Sequence, residues 1–363
     1  MNRLLHRLLA VGLGSLLGAL GLLQLTATGA SAAAPSIRVA TPYVASVAMA
    51  ATPDSQGYWL VGVDGGVFAF GDAQFYGSLP SAHIAQSDIV GIAATPDGRG
   101  YWLVGADGGV FAFGDAQFYG SLPGELGMPA PNPVTAIVAT TDGHGYWLVG
   151  SDGGVFTFGD APYYGSLPGD HLSPNPARVA QSETFFAYAA STDVFLEPTP
   201  DDHGYWIADS TGDVYTFGDA GFYGSLPSVL GSAAVLAPQD VVTGHPATIP
   251  VTGFATTPDG RGYWMASTDG SVYAFGDAQF YGSLPSLGLT ATPVSIIGYS
   301  RPSTVGVSIP LSTVSTLVRT NDGAGYWLSA LDGGVFAFGD ARYLGSVPGA
   351  HATVNSVAAT GAS

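Results

Sequence analysis

The sequence predicts an all-β fold, a β-propeller of six four-stranded antiparallel blades, and three observations point to it. A 24-residue phrase recurs six times and carries all six Trp residues: Trp59, Trp102, Trp147, Trp206, Trp264 and Trp327. Each copy divides into four short apolar runs separated by turn chemistry. Within a run the two alternating faces are both apolar, so each sheet must be covered on both sides. Four-stranded sheets in series, each buried between its neighbours, are the blades of a propeller.

The second copy shows the elements in order. Its runs are residues 90–95, 100–106, 108–114 and 117–122, and its turns are Pro96-Asp97-Gly98, Asp107-Gly108 and Gly114-Asp115-Ala116. An Asp-Gly pair between β-rich runs is a strong hairpin signal, because the tight turn needs positive φ. No apolar stretch of the repeat runs long enough without Gly or Pro to form a helix. Residues 354–360 (VNSVAAT) read as the first run of a further copy, yet residues 46–52 already supply one for the first. The surplus run suggests closure of the ring by pairing of terminal strands. A seven-bladed ring is the alternative, built with strands from residues 36–43 and the long connections.

Three parts follow along the chain. Residues 1–32 read as a secretory signal peptide, with Arg3 and Arg7, an apolar run to Leu25, and Ala30-Ser31-Ala32 as cleavage site. An uncleaved membrane anchor is the alternative. Residues 33–45 form an N-terminal segment, and 46–363 the propeller. The expected protein is secreted or extracellular, with no stable membrane insertion once the signal is cleaved. With no Cys, neither disulfides nor thiol chemistry are open to it. The nine basic residues are all Arg, and the net charge of −18 argues against nucleic acid, whose phosphates need clustered positive charge.

The pattern W-x-x-x-x-D-G-G-V-F-x-F-G-D-A-x-F-Y-G-S resembles repeats of secreted actinobacterial proteins, largely of unknown function. The resemblance covers most of residues 48–348. It implies a repeat fold and says almost nothing about activity.

Seventeen Asp residues occupy three repeated positions, represented by Asp97, Asp107 and Asp115. Calcium ligation and turn bonding are the two readings. The dense acidic alternation of a calcium loop is missing, so turns are expected, with no metal and no cofactor. The repeated Tyr-Trp and Phe-x-Phe pairs read as inter-blade core rather than sugar-stacking platforms.

Function is sought where the copies differ. The Trp-to-Trp spacings are 43, 45, 59, 58 and 63 residues, so the connections at 169–193, 228–250 and 286–312 are long and should crowd one face. They carry Arg178, Phe185, Phe186, Tyr188, Tyr299 and Arg301. Between two of them, Thr211 and Asp213 break the D-G-G rule of the fourth copy. These eight residues are the candidate ligand-binding set. The residues three before each Trp, among them His144 and His203, belong to the opposite face and read as solvated turns.

No catalytic motif stands out: there is no Lys, no H-E-x-x-H and no G-x-S-x-G. The leading expectation is a non-catalytic propeller binding an extracellular glycan or protein at the long-connection face. An extracellular glycan-acting hydrolase or lyase is the first alternative, and a structural cell-surface component the second.

Overall fold

The computed structural model describes residues 45–174, 193–230, 236–237, 247–248, 250–289 and 314–347. All of them belong to one unit, Val44–Ser363. They form six antiparallel sheets, each a three-stranded meander. Sheet one is β1 (Ser46–Ala51), β2 (Gly57–Gly62) and β3 (Val67–Gly71); sheet two is β4 (Ile89–Ala94), β5 (Gly100–Gly105) and β6 (Val110–Gly114). Sheet three is β7 (Val134–Ala139), β8 (Gly145–Gly150) and β9 (Val155–Gly159); sheet four is β10 (Val194–Pro198), β11 (Gly204–Asp209) and β12 (Val214–Gly218). A short pair, β13 (Leu236–Ala237) and β14 (Ala247–Thr248), precedes sheet five: β15 (Val251–Thr256), β16 (Gly262–Ser267) and β17 (Val272–Gly276). Sheet six is β18 (Val314–Arg319), β19 (Gly325–Ala330) and β20 (Val335–Gly339). Among the described residues helix is confined to single turns at Leu122–Leu126, Leu226–Leu230 and Pro285–Leu287.

The sheets stand in a closed cycle. Each first strand approaches the first strands of both neighbouring sheets, from β1 through β4, β7, β10, β15 and β18 back to β1. Elements spaced around an axis come closest where the circle is smallest, so the first strands are innermost. Every residue of each second strand is buried. The second-strand Trp of each blade packs on the second-strand Tyr of the next, as Trp59 on Tyr101 with ring centroids 5.6 Å apart. The same contact closes the cycle, Trp327 on Tyr58 at 5.7 Å. The six Trp and six Tyr are the largest fully buried side chains, which supports their reading as inter-blade core.

The expected fourth strand does not form. Residues 117–121 leave the sheet and clasp the next blade instead. Trp102 Nε1 donates to the Gln117 carbonyl (2.6 Å). The Tyr119 N–H donates to the hydroxyl of Tyr146, one blade on (3.2 Å), and that hydroxyl donates to the Gly120 carbonyl (2.6 Å). Tyr119 in turn donates through its own hydroxyl to the Gly143 carbonyl (3.0 Å). Side chains thus consume the backbone groups a ladder would need. Gly120 has φ 139°, and a Cβ there would lie 2.6 Å from the Phe158 ring of the next blade. Only glycine suits both conditions.

Closure is seen only through the described residues. No sheet joins the two ends of the chain among the described residues, and residues 354–360 lie outside them. The last blade meets the first as any blade meets the next. Ser46 N–H donates to the Leu331 carbonyl (2.9 Å), just as Ile89 N–H donates to Val63 (3.0 Å). Tyr58 receives the Leu344 N–H (3.2 Å) and donates to the Gly345 carbonyl (2.6 Å).

Replacing Tyr146 by Phe removes one hydroxyl and strands two backbone groups. The expected loss is about 1–3 kcal/mol of folding stability, read from the denaturant midpoint. Burial also pushes the phenols of Tyr58, Tyr101, Tyr146, Tyr205 and Tyr263 up to about 12. An unfolded Tyr ionises near 10, so the folded ring holds protons that the open chain releases. Stability should be intact below pH 10 and fall steeply as pH approaches 12, checked by thermal melts alongside phenolate absorbance.

Candidate functional site

The repeated Asp residues act on the backbone. In the turn before β2, Asp54 Oδ1 accepts the Gln56 N–H (3.1 Å) and the Thr52 hydroxyl (2.9 Å). The corresponding turn Asp accepts the corresponding N–H in the other five blades, from Arg99, His144, His203, Arg261 and Ala324. The hairpin Asp likewise takes the N–H two residues on, as Asp107 does from Gly109 (2.8 Å). These are Asx turns, in which a short carboxylate satisfies nearby N–H groups.

The corner Asp approaches the turn Asp from the third strand. Asp72 lies 3.3 Å from the same Thr52 hydroxyl. The Gln56 N–H first, then Thr52, holds Asp54 below its ordinary value; desolvation first, then the charge of Asp54, raises Asp72. The pairs Asp97–Asp115 and Asp322–Asp340 behave alike. Carboxyls pushed apart in this way are the mark of an acid–base pair. Here the arrangement is repeated around the ring and tied to turn backbone, and it belongs to the scaffold.

Two blades add a His to that pair. Asp142, His144 and Asp160, and likewise Asp201, His203 and Asp219, bring three donor atoms within 4.8 Å and could hold a metal ion. All six residues are exposed, and His144 Nδ1 lies 2.9 Å from Asp142. That bond pulls the His144 imidazole above its ordinary value. The matching residues Arg99 and Arg261 sit 3.9 Å from their own Asp. The His therefore occupies the place of a counter-charge. The spacing His–x–x–Trp is legible in sequence, whereas the approach of Asp160 and Asp219 through the corner is not.

Of the eight candidate ligand residues, Thr211 and Asp213 are described; Arg178, Phe185, Phe186, Tyr188, Tyr299 and Arg301 lie outside the described residues. Thr211 is buried and serves Asp209. Asp209 Oδ1 accepts the Thr211 hydroxyl (2.6 Å), the Thr211 N–H (2.9 Å) and the Asp213 N–H (3.2 Å). Burial first, with the charge of Asp213 behind it, raises the Asp209 carboxyl against the bond from Thr211. In this copy the turn carboxylate has moved two residues back, to the end of β11, and the broken D-G-G rule is compensated locally.

A feature that sequence reasoning missed lies on the clasp. Phe75, Phe118, Tyr163, Phe222 and Phe280 occupy one repeated position and are 54% to 59% exposed. Tyr343 holds the sixth place, half-buried. The residue before each ring gives its carbonyl to a buried Trp, as Gln74 does to Trp59 (2.7 Å). The residue after it is anchored to the next blade, as Tyr76 is to Tyr101 (3.2 Å). Each exposed ring thus stands on a segment fixed at both ends, which lowers the entropy lost when a ligand stacks on it.

The innermost strands hold a second departure from the repeat. Glu197 of β10 stands where the other first strands carry Ala50, Ala93, Val138, Ala255 and Val318. It keeps some solvent contact, yet desolvation pushes its carboxyl up to about 7, against the pull of Arg319.

No protein-family model matches the chain, and no curated protein matches it. Among solved structures, it is similar to the β-propeller domain of Cps50 (Swd1) from Myceliophteria thermophila. That likeness has 11% identity and a TM-score of 0.42, over 84% of each chain. No described helix is long and apolar enough to cross a membrane.

Glu197 makes a pH-dependent stability contribution whose sign is fixed. The unfolded carboxyl releases its proton near 4.5 and the folded one near 7, so stability is greatest below 4.5 and declines as pH rises through 7. Glu197→Gln should match the parent at pH 4 and exceed it at pH 8 by about 2–3 kcal/mol in urea titrations.

Proposed function

We propose that this protein is a secreted, non-catalytic ring that binds an extracellular glycan, with the exposed aromatic belt as its contact surface. The single observation that carries this reading is the repeated exposed ring on an anchored segment, in a molecule whose other repeated aromatics are buried or half-buried. Isolated flat rings, one per blade, suit stacking on successive sugars of a polymer. A protein partner would favour one contiguous apolar patch with a polar rim. The net charge of −18 favours a neutral or amine-bearing glycan over a polyanionic one. Several weak stacking contacts on one rigid body add through effective concentration. The long connections, with Tyr188 and Arg301, are the rival location.

The test is a glycan array followed by titration of any hit. The quadruple variant with Phe75, Phe118, Phe222 and Phe280 changed to Ala should lose on the order of 100-fold in apparent affinity and keep its fold. Unchanged binding by that variant, with loss from Tyr188→Ala or Arg301→Ala, would move the site to the long connections.

A further inference from the structure

The six innermost strands contain two charged residues, Glu197 in β10 and Arg319 in β18. All their other positions are apolar or hydroxyl-bearing. Directly opposed residues of an antiparallel pair project to the same side of the sheet. Glu197 is opposite Trp206, which packs with Tyr263 of the fifth blade. Arg319 is opposite Tyr326, which packs on Trp264 of that blade from the other side. Both charged side chains therefore lean toward the fifth blade, from its two flanks. Between them runs β15, whose residues at that level are the small Ala255 and Thr256. Both charges stand next to the turn that follows their strand, so they share one end of the axial channel.

The two do not close into an ion pair, although the Arg319 charge pulls on the Glu197 carboxyl. Among the described residues no donor bonds the Glu197 carboxyl. Arg319 spends one nitrogen on the carbonyls of Thr320 and Asn321, both at 3.1 Å, and has further donors to offer. Among the described residues the inner edges of the first strands pair with no other strand, so their backbone groups are open to polar partners. An acid and a base held apart over a floor of small residues are complementary to a ligand with both charges. A simple cation would be repelled by Arg319, and a simple anion by Glu197.

We propose that this end of the axial channel binds a compact zwitterion, an amino acid in chemical class, with its ammonium on Glu197 and its carboxylate on Arg319. The site is separate from the aromatic belt and does not depend on the glycan reading. Binding draws Glu197 into its ionised form, so near pH 7 protons leave as the ligand enters. The first strands carry no other carboxyl or His, but the turns beside them carry Asp201, Asp202, His203, Asp259 and Asp322, so the Glu197→Gln variant is what assigns the release.

Calorimetric titration of the whole protein with a panel of free amino acids, at pH 7 in two buffers of different ionisation enthalpy, tests this. At least one amino acid should bind, with proton release. Ethylammonium, acetate and glucose should each bind at least tenfold more weakly. Glu197→Gln should weaken binding at least tenfold and abolish the buffer dependence, in a protein that still melts cooperatively. Arg319→Lys keeps the charge and should retain more of the binding than Arg319→Gln. The proposal is overturned if no amino acid binds, if glucose binds as well as any zwitterion, or if Glu197→Gln binds as the parent does.

Discussion

The ring depends on one polar arrangement inside an apolar interface, the phenol that each second strand sends into the clasp of the preceding blade. A buried Tyr must place its hydroxyl, and here the hydroxyl takes one N–H and supplies one carbonyl of a segment with no ladder partner. The Trp beside it in sequence points the other way and holds the carbonyl of its own blade's clasp. Glycine makes room, because the next blade's Phe occupies the place of its side chain. Each repeat is therefore incomplete alone. Its polar groups are satisfied by a neighbour, and the chain is satisfied throughout only when the last repeat meets the first. Among the described residues, six copies of one bond close the cycle without a disulfide and without a shared sheet.

That dependence also marks how far the sequence could be read. Period, Trp positions and Asp-Gly pairs give the blade count and the first three strands to within two residues; the run at 100–106 is β5, Gly100–Gly105. The fourth run misled because QFYGSL has strand-forming residues and an apolar alternation, which pattern alone cannot tell from a strand. The bonds that pull it away come from side chains on two different blades. Periodicity does not register a partner more than twenty residues distant. Gly120 was the available cue, since glycine in the middle of a strand pattern signals close approach of another group.

The exposed aromatics were hidden by the same error. If 117–122 were a strand, Phe118 and Tyr119 would lie on opposite faces of one buried sheet. In a clasp the two part company, Tyr119 tied to the neighbouring blade and Phe118 turned to water. The fourth blade does depart from the repeat, for a reason that is local. Thr211 and Asp213 look like a lost turn when compared with D-G-G alone. The gain of Asp209 two residues earlier restores the turn, and GYWIAD against GYWLVG records it in the sequence. Glu197 is legible too, once the first strands are aligned and a carboxylate stands in a column of Ala and Val.

The acidity of the molecule follows from its turns. Each blade uses Asp to accept turn N–H groups and again at the corner, so a large negative charge accompanies the fold whatever the protein binds. Arg and His beside the turn Asp offset part of it at the exposed end of the ring, where solvent screens such pairs and makes them worth little. On the innermost strands the condition is different, because Glu197 and Arg319 are the two charges there and both are half-buried. A carboxylate and a guanidinium that are half-buried are screened less than the exposed Asp of the turns. Charge that recurs in every repeat is explained by the backbone it serves. Glu197 and Arg319 recur in no other first strand and bind none of the repeated N–H groups, so the repeated backbone does not explain them.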